Sequence, residues 1–329
     1  MLHRLRSPLT TLRRRLNGIA VERTLRGLAD AGRLHPRLRA ILAEVEVTRD
    51  LPYLETGMQE HLADLYLPKK RGTGPLPVVL YLHGGGFRIL SKDTHWIMGA
   101  LFARRGYAVL SINYRLAPRH PYPAAIEDAC AALLWLSRQG DKLPIDLDRL
   151  ILAGESAGAN LATGLALALS SPRPEPWARA VWETGLQPRA VLPACGLLQA
   201  SDCARFARRR PLPQGVRDQL TTTERNYLGA FLPSSPRALE LANPLLVLEG
   251  DAPTARPLPP FFIPVGTKDP ILDDSRRLSA ALVRRGVLHE YKVYPGELHA
   301  FHAFLWRPQA QQCWRDTFDF LQQHLGPTA

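Results

Sequence analysis

The sequence predicts an α/β protein with a mostly parallel central sheet flanked by helices. Three observations carry this. From about residue 42 onward, short apolar runs of strand length alternate with helical patterns. Several runs, such as PLPVVLYLHGGG (75–86), are continuously apolar, as strands covered on both faces are. One of them, DRLILAGES (148–156), passes directly into the helical run SAGANLATGLALALS (156–170). The 329 residues, 46% hydrophobic and 22% charged, suffice to bury a sizeable core around such a sheet.

In chain order, the first forty residues stand apart, with ten arginines and only two acids, Glu22 and Asp30. Leu2, Leu5, Leu9, Leu12, Leu16 and Ile19 recur at steps of three and four, one face of a helix. Ser7 fits its N-cap and Pro8 its first position. Residues 1–45 therefore read as basic amphipathic helices packed on the protein as part of a cap. The alternatives lay residues 7–30 on an anionic membrane surface or make the segment a cleaved transit peptide. EVEVTR (44–49) and QEHLADLYLP (59–68) alternate and read as antiparallel opening strands. Buried strands follow at 75–86, 107–115, 148–156, 188–196, 259–269 and 288–296. Helices are expected near 93–105, 123–139, 156–170, 273–286 and 308–324. Residues 197–258 break this rhythm with the basic run ARFARRR, a helical piece near 214–230 and Pro-rich loops. They read as a cap insertion over the C-terminal edge of the sheet, where open α/β sheets bind ligands. The core is then 46–196 and 259–329. Most of the 29 prolines fall in clusters that read as loops.

The net charge of +12 raises nucleic acid as a partner. Only six of the 42 basic residues are lysine, a skew that, with the richness in Ala and Leu, points to a GC-rich coding bias. No basic motif is interleaved with aromatics, so nucleic-acid binding is excluded. Cys130, Cys195, Cys203 and Cys313 form no Cys-x-x-Cys pair, and no histidine cluster has metal spacing. With no secretory h-region, buried reduced thiols in a cytoplasmic, bacterial protein are expected. No run of 18 apolar residues occurs, so no membrane span is expected. The oligomeric state is open.

The chemistry centres on Gly154-Glu155-Ser156-Ala157-Gly158. Gly-x-Ser-x-Gly alone is weakly specific, but here it lies between an apolar strand and a helical run. A turn that sharp strains the backbone, small flanking residues relieve the crowding, and the serine stands exposed at a helix start. A serine hydroxyl needs a base to take its proton, and its attack on a carbonyl creates an oxyanion that needs donors. His83-Gly84-Gly85-Gly86-Phe87 follows a strand and offers bare backbone N–H groups, and the N–H of Ala157 completes the hole. A phosphate-binding glycine loop is the rival, but no Gly-Lys-Ser/Thr follows. An acid and a histidine should come later in the chain. TKDPILDDS offers Asp269, just past a strand, and Asp273 and Asp274, which look like helix N-terminal acids. GELHAFHAFLW (296–306) offers His299 and His302, each opening a His-Ala-Phe tripeptide. The residues alone leave the choice between the two histidines open.

The motifs HGGGF, YRLAPRHPYPAA (114–125), GESAGAN, GTKDPILDDS and GELHAF together resemble the hormone-sensitive-lipase-like family of α/β-hydrolase carboxylesterases. The resemblance runs from about residue 58 to the end. It implies an α/β-hydrolase fold with a small helical cap, a catalytic set of Ser156, Asp269 and His299, and oxyanion donors at Gly85 and Gly86. His83, Gly84 and Glu155 take supporting roles, as does His302. The implied function is hydrolysis of short- to medium-chain carboxylic esters through an acyl-enzyme, with no metal or organic cofactor. The alternatives are another acyl bond, amide or lactone, on the same residues, or a non-catalytic ligand receptor on this fold. The chain departs from the family at Arg119, Asn113, Glu155 and Ala159, where Glu, Asp, Asp and Gly are usual.

Overall fold

The computed structural model describes residues 8–140, 142–229 and 236–325. Ser7 and the leucines before it lie outside the described residues. In chain order the elements are α1 (Pro8–Leu34), α2 (Pro36–Ala43), β1 (Val45–Pro52), β2 (Leu62–Pro68), β3 (Leu76–Leu82), α3 (Trp96–Arg104), β4 (Ala108–Ile112), α4 (Ala124–Ser137), β5 (Ile145–Glu155) and α5 (Ala157–Ser170). There follow α6 (Pro176–Glu183), β6 (Ala190–Ala194), α7 (Arg205–Arg209), α8 (Gln214–Leu228), α9 (Pro244–Glu249), β7 (Phe261–Gly266), α10 (Leu272–Arg284), β8 (His289–Tyr294) and α11 (Pro308–Leu325).

The eight strands form one sheet in the order β1-β2-β4-β3-β5-β6-β7-β8. β1 and β2 are antiparallel to their neighbours, and the rest are parallel. The pleat sends successive side chains to opposite faces. Val78, Leu80 and Leu82 of β3 join the core beneath α4 and α5, while Val79 and Tyr81 join the core beneath α3 and α11. α5 is buried along its whole length, which its Ala-Leu-Gly sequence permits. β2 departs from the expected alternation: Ala63 to Pro68 are all buried. Its odd residue out, Asp64, is neutralised by the buried ammonium of Lys92 at 2.8 Å, and its other oxygen serves Arg49.

Proline at the first turn is the main feature the loop reading missed. Pro176 and Pro244 open α6 and α9, as Pro36 opens α2 within the segment read as helical; a missing N–H costs nothing there and φ is already set. His35, before Pro36, is extended (φ −68°, ψ 125°), which separates α2 from α1. Among the described residues no helix is long and apolar enough to cross a membrane.

Register brings the strand ends to one edge. Leu82 pairs with Gly154 and with Ile112, Glu155 with Ala194, and Gly266 with Tyr294. The loops beginning at His83, Ser156, Cys195, Thr267 and Pro295 therefore leave the sheet side by side.

Candidate active site

Ser156 occupies the turn between β5 and α5 with φ 54° and ψ −111°, a region that L-residues other than glycine rarely enter. The surroundings hold it there. Its N–H donates to the Ala194 carbonyl (2.9 Å) and its own carbonyl accepts from Leu197 N–H (3.1 Å). The flanking glycines are sterically required. A Cβ on Gly158 would lie 1.9 Å from the Leu82 oxygen, and one on Gly154 would lie 2.5 Å from the Gly158 carbonyl. Ala157 is the first residue of α5, so its N–H has no partner within the helix.

The glycine loop after β3 is equally tight. Gly85 (φ 111°) and Gly86 (φ 60°) both need the left-handed region. A Cβ on Gly85 would lie 2.0 Å from the Ile89 oxygen, and one on Gly84 would lie 2.8 Å from the Glu155 carboxylate. His83 sits beneath, stacked on Tyr114 (centroids 4.2 Å apart), with its Nδ1–H donating to the Gly84 carbonyl (2.7 Å). The Tyr114 hydroxyl donates to the His83 carbonyl (2.7 Å). Burial drives the His83 imidazole down to about 3, so it is neutral and serves the loop as a fixed donor. Phe87 stacks flat on Tyr227 of α8, centroids 3.6 Å apart, which pins α8 to this loop.

The two histidines separate cleanly. His299 Nδ1–H donates to Asp269 Oδ2 at 2.8 Å. The other oxygen of the fully buried Asp269 accepts from Ile271 N–H (2.8 Å). Burial pulls the His299 imidazole down, but the Asp269 carboxylate outweighs this and lifts it well above its ordinary range. His302 turns away into a 3-10 turn and places Nε2 3.1 Å from Glu155 Oε2. Glu155 Oε1 accepts from His95 Nε2 at 3.0 Å. Burial pushes the Glu155 carboxyl up, yet His95 and His302 together hold it well below the carboxylate range. Each histidine of the repeat thus has its own carboxylate.

Of the other acids, Asp273 and Asp274 lie in the first turn of α10, as expected. Asp274 is buried against Arg205 (2.6 Å) and accepts the amides of Leu198 and Gln199, tying the segment after β6 to α10. Asn113 is structural: its side chain accepts from Lys92 N–H (2.9 Å) and donates to the Gln59 carbonyl (3.0 Å). Arg119 is exposed.

Ser156, His299, Gly85 and Gly86 line one cavity of 1180 Å³. Its walls are mainly apolar: Leu25, Leu28 and Leu38 from the N-terminal helices, Val216 and Leu220 from α8, and Ile271, Leu305 and Trp306 from the segments after β7 and β8. Among the described residues the Ser156 hydroxyl makes no hydrogen bond to His299, though both side chains line the same cavity. Two residues were not anticipated from the sequence. His95, sixty residues before Glu155, gave no signal. Cys195 did give one, since it follows strand β6 at the same sheet edge. Its sulfur, a ring nitrogen of His299 and a carboxylate oxygen of Asp269 all lie within 4.8 Å of one another.

A family model of the α/β hydrolase fold matches residues 79–303. The chain belongs to the α/β-hydrolase fold-3, hormone-sensitive-lipase-like family. It is 35% identical over 239 residues to an acetyl esterase of Salmonella paratyphi B, covering 72% of this chain and 68% of that one. An acetyl esterase of Salmonella schwarzengrund is 35% identical over 226 residues, 68% of this chain and 65% of that protein, just under two thirds of its length. Among solved structures, esterase LipW from Mycobacterium marinum superposes with a TM-score of 0.74 at 27% identity, over 94% of this chain and 90% of that one. Esterase B from Lactobacillus rhamnosis superposes with a TM-score of 0.71 over 92% and 96%; at 22% identity it shows the fold alone. These comparisons put the α/β-hydrolase chain among carboxylic ester hydrolases.

Proposed function

We propose that the protein hydrolyses short- to medium-chain carboxylic esters through an acyl-enzyme on Ser156. One observation carries the reading: the Asp269–His299 pair, joined at 2.8 Å, faces the cavity onto which the strained Ser156 also opens. Asp269 fixes the tautomer with the proton on Nδ1, leaving Nε2 free as an acceptor. When an ester carbonyl enters, Nε2 takes the Ser156 proton as the oxygen attacks. The amides of Gly85, Gly86 and Ala157 receive the negative charge on the carbonyl oxygen; one such donor is worth about 3–4 kcal/mol in the transition state. His299 returns the proton to the leaving alcohol, and the same cycle with water releases the acid.

The cap in this reading comprises residues 1–45 and 197–258, roofing a core of 46–196 and 259–329. The acetyl esterase relatives favour small acyl groups. The cavity exceeds what an acetyl group fills, so medium chains fit with it. We place the reaction in a bacterial cytoplasm. Nitrophenyl esters of increasing acyl length, assayed with the wild type and Ser156→Ala, test the proposal. Turnover of the shorter esters that vanishes in Ser156→Ala supports it. Equal rates in the two proteins, or activity confined to amides or lactones, would refute it.

A further inference from the structure

We infer that Cys195, Asp269 and His299 form a binding site for a soft divalent cation of the zinc class, whose occupancy switches the hydrolase off. This deepens the reading of His299 as the base and rests on it. The set has one thiol, one imidazole and one carboxylate, the donor types zinc takes. Their ligand atoms already lie within 4.8 Å of one another. Tetrahedral zinc holds ligand atoms roughly 3.3–3.8 Å apart. The His299 Nδ1–Asp269 Oδ2 pair at 2.8 Å therefore has to open by about 0.5 Å, while the sulfur, within 4.8 Å of the pair, draws in by up to about 1 Å.

The donors are anchored on rigid parts of the fold. Cys195 follows β6 in a left-handed conformation (φ 39°), its N–H donating to the Pro264 carbonyl at 3.0 Å. Asp269 follows β7 and is held by Ile271 N–H. His299 lines the cavity, which gives a cation its way in.

The switch follows from proton accounting. The cation takes Nδ1 of His299, the nitrogen now turned to Asp269, so the imidazole proton moves from Nδ1 to Nε2. The thiol proton passes to solvent as the sulfur ligates the metal. Nε2 then carries a proton and cannot accept another from Ser156. No bond is made to Ser156, and no oxidant or reductant is needed.

The test uses the full chain in chelator-free buffer with CdCl₂ or ZnCl₂. Nitrophenyl acetate turnover is read relative to each protein's own metal-free rate. Cadmium–thiolate charge-transfer absorbance is read in parallel. The wild type and the control Cys203→Ala should lose activity, recover it with EDTA, and show the absorbance band. Cys195→Ala should need at least about tenfold more metal for half-inhibition and should lack the band. Equal metal sensitivity in Cys195→Ala, or no band in the wild type, overturns the site. Because the band does not depend on turnover, an inert wild type that still shows it would count against the esterase reading and not against the site.

Discussion

His299 and His302 lie three residues apart in a repeated tripeptide, yet each faces a different carboxylate. Sequence spacing could not separate them, because Asp269 lies thirty residues upstream and Glu155 lies farther still. His299→Ala should cut kcat/KM for nitrophenyl acetate by at least about 10⁴-fold. His302→Ala should keep most turnover and lose stability instead, because it strips one partner from the buried Glu155; parallel kinetics and thermal melts separate the two. The raised imidazole of His299 gives a second prediction with a definite sign. The base must be neutral to act, so kcat/KM should rise with pH along an acid limb centred above about 6.5, the ordinary histidine value. Asp269→Asn removes the lifting charge and should move that limb down as well as lowering the rate. Stability runs the other way. The pairing contributes fully below about pH 6.5, and its contribution is lost as pH rises through the raised value.

At the scale of elements, the strands were legible because buried parallel strands need unbroken apolar runs, and PLPVVLYLHGGG and LILAGES supply them. The strand-to-helix turn at Ser156 was legible too, since only small residues fit beside it. Gly158→Ala tests this packing. Its Cβ would meet two backbone carbonyls, of Leu82 and His83, that cannot yield, so we expect a loss of about 3 kcal/mol or more by chemical denaturation. The short helices α6 and α9 were not legible, because proline at the first turn and proline in a loop look alike without the backbone. The clamp between α8 and the glycine loop was hidden as well, since Phe87 and Tyr227 are far apart in sequence. Tyr227→Ala should lower stability by about 3–5 kcal/mol and raise KM more than it lowers kcat, as a wall of the cavity loosens.

Over the whole molecule, α1 packs against α8, and residues of both line the apolar cavity that holds Ser156 and His299. The break in strand–helix rhythm at 197–258 marked this segment out in the sequence, but the volume it helps to enclose depends on how it packs with the N-terminal helices, which spacing does not give. The chamber sets the expected acyl profile: rates should be highest for short and medium esters and fall for long chains that outgrow it. The four cysteines are free and buried. The most direct test of the account is covalent trapping by an organophosphonate, with the labelled residue located by mass spectrometry. The account predicts one adduct, on Ser156, formed fast in the wild type and very slowly in His299→Ala. An accessible Ser156 that stays unlabelled, or labels equally fast without His299, would contradict it.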